Sequence, residues 1–279
     1  MENKIIQQIK NLFAGADERN WQKVESTLNE EVLLDYSSMT GIAANNLSPK
    51  DIATAWRAFL PGFDRTNHIL SDFNVKITGN EATAQYTGEA DHFLSQEIWV
   101  VKGTYNTKLK LVNTNWLITE LRFLITDQSG NTDLPALATR KMQKKLLKEQ
   151  NRKMVDNFFV ALETQKFEWL KELFAINGKQ LNPYSPEGFP KSFDGAEGIY
   201  KQYSGLAKTF GEMRFPREIF ATDDPCFFFV KFRGEIEIKT GGKYKNDYLG
   251  TFKMKEGKII EYTEYFNQIV MAKAFGIAL

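Results

Sequence analysis

The chain has 279 residues, 42% of them hydrophobic, with 36 Lys and Arg against 35 Asp and Glu. That length suits two domains of ordinary size, and a net charge of +1 gives no pull toward nucleic acid or an anionic membrane. A lone Cys226 excludes an intrachain disulfide and a cysteine-based zinc site, no apolar run approaches the ~20 residues of a membrane span, and the first residues lack an apolar signal core, so a cytoplasmic chain is expected.

Ile5, Ile9, Leu12, Phe13 and Ala16 recur at helical spacing and predict an opening helix. A second helix starts near Asn20 and carries Trp21, Val24 and Leu28. A short strand follows through Val32, Leu33, Leu34, Asp35 and Tyr36. Ser48-Pro49 is a helix start signal for a third helix burying Ile52, Ala55, Trp56 and Phe59. Strands are then expected at 66–78, 81–94, 97–112 and 115–126, with turns at Gly79-Asn80 and at 113–115. The polar stretch 127–135 reads as a linker, dividing the chain into domains at 1–130 and 136–279.

After that stretch the same order of elements restarts. The basic run 141–153 reads as a solvated helix face, and Val155, Phe158, Phe159 and Leu162 form a helical stripe. Strands are expected near 214–222, 226–239, 244–256 and 258–268. A shift of 146 residues places Ile9 on Val155, Phe13 on Phe159, Asp17 on Glu163 and Trp21 on Phe167. A shift of 147 places Ile52 on Ile199, Trp56 on Tyr203 and Phe63 on Phe210. A shared order of elements at a nearly constant offset argues for a duplicated domain.

The chain has two histidines, His68 and His92, both in the first half. In strand 81–94 the alternation places His92 on the small, apolar face with Ala82, Ala84, Tyr86, Gly88 and Ala90, which suits either a cavity wall or a packed interior. His68 lies at the start of its strand, Tyr36 ends the first short strand, and Asp35 should point away. In the second half Ile260, Tyr262, Glu264 and Phe266 share a strand face, and Cys226, Phe228, Val230 and Phe232 share another. A buried Glu264 would have a raised pKa and serve as a general acid or base; bonded to Tyr184, Tyr248 or Arg233 it would be structural. No phosphate-binding loop, dinucleotide fingerprint, serine nucleophile elbow or zinc-binding histidine pair occurs, so no cofactor and no metal are expected.

Helices followed by a curved antiparallel sheet in each half resemble the cone-shaped α+β fold of the SnoaL-like, or nuclear transport factor 2-like, superfamily. The fold class this implies is two tandem cystatin-like α+β barrels, each with three N-terminal helices on a curved, mostly antiparallel sheet. The first half is similar to the scytalone dehydratase and SnoaL-like branch through Asp17-Glu-Arg-Asn-Trp21, Leu34-Asp35-Tyr36-Ser37-Ser38, Thr66-Asn67-His68-Ile69 and Asp91-His92. The resemblance implies a pocket of Asp17, Tyr36, His68 and His92, with Asp17 orienting His92. Ala16 stands where scytalone dehydratase has a second tyrosine.

The second half resembles the phenazine-biosynthesis A/B and polyketide-cyclase-like branch through the stretches 182–188, 222–225, 240–244 and 257–267, with the strand glutamate at Glu264 and no counterpart to its histidine. Trp56, Tyr86, Asn106, Glu264 and Tyr184 are the candidate substrate contacts.

The function implied is a cofactor-independent lyase or isomerase, dehydratase-like or cyclase-like, working on a small hydrophobic oxygenated substrate. The alternative is a non-catalytic binding or accessory protein. The resemblance also implies that the two cones pair within one chain as a pseudo-dimer.

Overall fold

Local signals at the helix starts carry through to the fold. The Asn20 side chain accepts the N–H of Lys23, and Ser48 Oγ accepts that of Asp51, with Pro49 at the first helical position. Both satisfy amides that a helix start leaves unpaired. The computed structural model describes residues 1–277 and divides into two compact units, Met1–Gln143 and Lys144–Leu279.

In the first unit, α1 (Glu2–Asp17) and α2 (Trp21–Ser26) lead into β1 (Leu28–Asp35), then α3 (Ser37–Thr40), β2 (Asn45–Leu47) and α4 (Pro49–Arg57). Four long strands follow: β3 (Arg65–Thr78), β4 (Glu81–Leu94), β5 (Glu97–Val112) and β6 (Asn115–Gly130). The sheet order is β2-β1-β6-β5-β4-β3, antiparallel except for the β1–β6 pair. α1 buries Ile5, Ile9, Leu12, Phe13 and Ala16, as its spacing predicts. In α4 the buried residues are Ile52 and Ala53, while Ala55 faces out.

The stretch expected as a linker is mostly structured: β6 runs to Gly130 and α5 (Leu134–Glu163) begins four residues later. α5 opens in the first unit, where Leu134 and Ala138 join the core. It closes in the second, where Val155, Phe158, Phe159 and Leu162 are buried.

The second unit continues with α6 (Trp169–Leu173), β7 (Phe174–Leu181), β8 (Ser192–Asp194) and α7 (Gly195–Leu206). Next come β9 (Phe210–Arg214), β10 (Arg217–Ala221), β11 (Phe227–Ile238), β12 (Lys243–Lys255), β13 (Lys258–Phe266) and α8 (Gln268–Phe275). Its sheet order is β10-β11-β12-β13-β7-β8, with β9 also on β11 and the β13–β7 pair parallel. This repeats the first topology, and each sheet curls into a half-barrel over its helices.

One difference follows from a single residue. Of the strand expected at 214–222, β10 forms 217–221, and Pro216, which has no N–H for the ladder, parts it from β9, which begins earlier, at Phe210. No helix among the described residues is long and apolar enough to cross a membrane, which says nothing about strands.

Candidate functional site

In β4 the alternation holds: Ala82, Ala84, Tyr86, Gly88, Ala90 and His92 all face inward. The register with β3 sets Thr66 opposite His92 and His68 opposite Ala90. Asp17 ends α1 beside them. Its Oδ1 accepts the Thr66 hydroxyl at 2.7 Å and lies 2.7 Å from His68 Nδ1; its Oδ2 accepts the His68 backbone N–H at 2.8 Å. Burial works to raise the Asp17 pKa, but the bonds and charge of His68 and the Thr66 hydroxyl outweigh it and hold the carboxyl below its ordinary value. Arg19, with φ of 59°, turns the chain back so that its guanidinium donates to Ala16 O, Thr66 Oγ1 and Leu60 O.

The carboxylate therefore orients His68, not His92 as expected. The His92 ring is centred 6.2 Å from that of His68, and its buried Nδ1 has no hydrogen-bond partner. Burial, followed by the neighbouring His68, pushes the His92 imidazole down to about 4.

Aromatic rings occupy the space around these groups. Phe13 lies 5.0 Å from His68, and Phe63 and Trp99 lie 4.9 and 4.5 Å from His92. The room left by Gly88 is taken by Tyr105, whose ring carbon would sit 2.4 Å from a Cβ added there. Tyr36 packs at 5.7 Å from Phe123, and burial pushes its phenol well up. Tyr86 is buried, with its hydroxyl 2.9 Å from Thr107 Oγ1. Trp56 is half-buried against the same core.

Asn106 does not join this group. It follows the inward-facing Tyr105 on β5, so its side chain lies on the opposite face of the sheet, in a polar hollow with Gln85 and Lys108. Asp35 points away as expected, bonded to Ser37 and Arg122.

The larger cavity is in the second unit, with a volume of about 360 Å³. Glu264 lines it from β13, with Tyr203, Tyr244, Tyr248 and Tyr262. Tyr262 donates to Glu264 Oε2 at 2.5 Å, a same-face neighbour two residues away rather than Tyr184, Tyr248 or Arg233. Burial raises the Glu264 carboxyl to about 7 against this bond. Tyr203, Tyr248 and Tyr262 are raised in turn, first by burial and then by Glu264.

Tyr244 accepts hydrogen bonds from Asn246 Nδ2 at 2.8 Å and from Tyr248 Oη at 3.1 Å. Tyr184 lies outside the cavity, 56% exposed against Tyr265, because β7 ends at Leu181 and the chain turns. The shared face expected from Ile260 to Phe266 is interrupted: a register shift between Ile259 and Glu261 buries Ile259 in place of Ile260. The face from Phe228 to Phe232 is buried as its alternation predicts. Gln180 on β7 and Asn182 just beyond its end also line the cavity, and neither was expected as a site residue. Among the described residues no group of three or more His, Cys, Asp or Glu is arranged to hold a metal ion.

Residues 2–122 match a SnoaL-like domain family, and residues 155–262 match a second SnoaL-like domain family. The chain is 30% identical over 118 residues to the uncharacterized protein YesE of Bacillus subtilis, covering 41% of this chain and 79% of that protein. It is 26% identical over 138 residues to phenazine biosynthesis protein PhzA1 of Pseudomonas aeruginosa, covering 48% of this chain and 85% of that one. A solved structure from Kribbella flavida is 21% identical, with a TM-score of 0.47 over 48% of this chain and 96% of its own.

Proposed function

Because the chain belongs to the SnoaL-like family, with two SnoaL-like domains in tandem, we propose that it is a cofactor-independent lyase or isomerase whose reaction takes place in the second unit. The substrate is a small, largely apolar, oxygen-bearing molecule. The observation that carries this reading is Glu264 on the wall of a cavity of about 360 Å³, with its carboxyl raised to about 7.

A carboxyl poised near neutrality transfers a proton in either direction, a contribution of about 10²–10⁴ in rate. Protonated, Glu264 delivers its proton to a departing hydroxyl. Ionised, it removes one from the carbon beside a carbonyl. Tyr244 accepts from both Asn246 and Tyr248, so its own proton is left to donate to a carbonyl oxygen that gains charge as an enolate. In the first unit Asp17 and His68 satisfy each other and aromatic rings pack around them, which supports a structural role for that cluster.

Incubation with a panel of flat hydroxy ketones, followed by mass spectrometry, tests the proposal. Conversion of at least one by wild type is expected, falling by about 10²-fold or more in Glu264→Gln. Equal turnover by a folded Glu264→Gln would refute the assignment. A second reading, ligand binding without chemistry, is favoured by the absence of any histidine from the second half of the sequence. In that case the ligand is recovered unaltered.

A further inference from the structure

We propose that Gln180 is the specificity-determining residue of the second unit's cavity, and that the ligand taken there carries a neutral hydroxyl which donates a hydrogen bond to Gln180 Oε1. This rests on the same cavity as the reading above but does not require Glu264 to move a proton.

The parallel register of β7 and β13 sets Gln180 directly beside Tyr262, the residue that bonds Glu264. Gln180 is 2% exposed and lines the cavity. Its Nε2 is committed to Asn182 Oδ1 at 3.3 Å, whereas its Oε1 is buried and has no partner. The Gln180 amide also donates toward the Tyr203 phenol, countering the rise that burial imposes there, so this contact too leaves Oε1 without a donor. A buried carbonyl oxygen without a donor carries the full cost of its lost hydration, and such a group persists where something else satisfies it.

The missing donor is best supplied by the occupant of the cavity. A cationic donor fits poorly, because the site is largely apolar and its carboxyl is held protonated below about 7. A neutral O–H meets the requirement at the least desolvation. A volume of about 360 Å³ suits a bicyclic molecule.

Fluorescence titration of the full chain with 2-naphthol and with 2-methoxynaphthalene tests this. The two probes share one ring system, and the second lacks the donor. Wild type is expected to bind 2-naphthol about tenfold more tightly, the ratio expected of one hydrogen bond that would otherwise be unmade. Gln180→Met, close in size and without the acceptor, is expected to bring the two affinities within about twofold. Gln180→Leu, which also lacks the acceptor, serves if Gln180→Met does not fold and is likewise expected to lose the preference. Glu264→Gln, which keeps an acceptor at position 264, is expected to keep the preference. It also separates this inference from the catalytic one, since turnover can fail while the preference stands. Equal binding of both probes by wild type, no binding of either, a preference kept by Gln180→Met or Gln180→Leu, or one lost in Glu264→Gln would overturn it.

Discussion

Asp17 holds His68 twice, through the backbone N–H at 2.8 Å and through Nδ1 at 2.7 Å. The second unit repeats the device with different side chains. Glu163, the last residue of α5, accepts the N–H of Phe215 at 2.8 Å, and Arg217 supplies the cation at 2.9 Å. A shift of 147 residues places His68 on Phe215. In each unit a carboxylate at a helix C-terminus, where the helix dipole disfavours it, is held by the segment that leads the sheet: β3 in the first unit, and the β9–β10 connection with the start of β10 in the second.

Asp17→Ala removes all three bonds and is expected to cost about 3 kcal/mol in urea unfolding, against about 1 kcal/mol for Asp17→Asn. Because the folded pKa of Asp17 is depressed, its contribution is full above the unfolded value of 3.8 and is lost as pH falls through the lower folded value.

His92 titrates in a different window. Its folded pKa is lowered from 6.5 to about 4, so the stability it contributes is full above 6.5 and is lost as pH falls from there through 4. Glu264 acts with the opposite sign over the same range, so the His92 effect is read as a difference: the wild-type urea midpoint is expected to fall relative to that of His92→Phe between pH 7 and pH 4.5. Proton NMR should place the His92 titration near 4. A normal titration near 6.5 would mean that water reaches the ring.

The fold was legible because it rests on periods of two and 3.6, which buried side chains impose directly. The alternation of Ala82 to His92 and the stripe of Val155, Phe158, Phe159 and Leu162 both appear as expected. Partner choice was not legible. Asp17 reaches His68 rather than His92 because the end of α1 and the β3–β4 register together set which strand position it meets. The small residues of β4 promise space, yet Tyr105 from the next strand fills it. Tyr262 and Glu264 could be paired from their spacing alone. Gln180 could not, since nothing in a sequence marks one glutamine as buried with an unpaired oxygen.

The filling of the first unit has a direct test at Gly88. A Cβ there would lie 2.4 and 2.8 Å from atoms of the Tyr105 ring. That ring is fixed between Tyr86 at 5.1 Å and Phe123 at 4.6 Å, so it has little room to give. Gly88→Ala is expected to destabilise by about 1–3 kcal/mol despite adding one methyl group. A neutral outcome in thermal unfolding would mean that Tyr105 moves freely and that the space beside the histidines opens.

Glu264 gives the opposite pH dependence to His92. Its folded pKa is raised from 4.5 to about 7, so the folded state binds the proton more tightly than the unfolded chain does. The stability linked to this proton is full below 4.5 and is lost as pH rises through 7. The shift corresponds to roughly 3 kcal/mol between the two limits. Glu264→Gln keeps an acceptor for Tyr262 without a charge to bury, so it is expected to remove this contribution to the slope and to exceed wild type in stability at pH 8. Urea unfolding of both proteins at pH 5 and pH 8 checks this. Parallel pH profiles would mean that Glu264 ionises in full contact with water, and the proton-transfer role would go with its raised pKa.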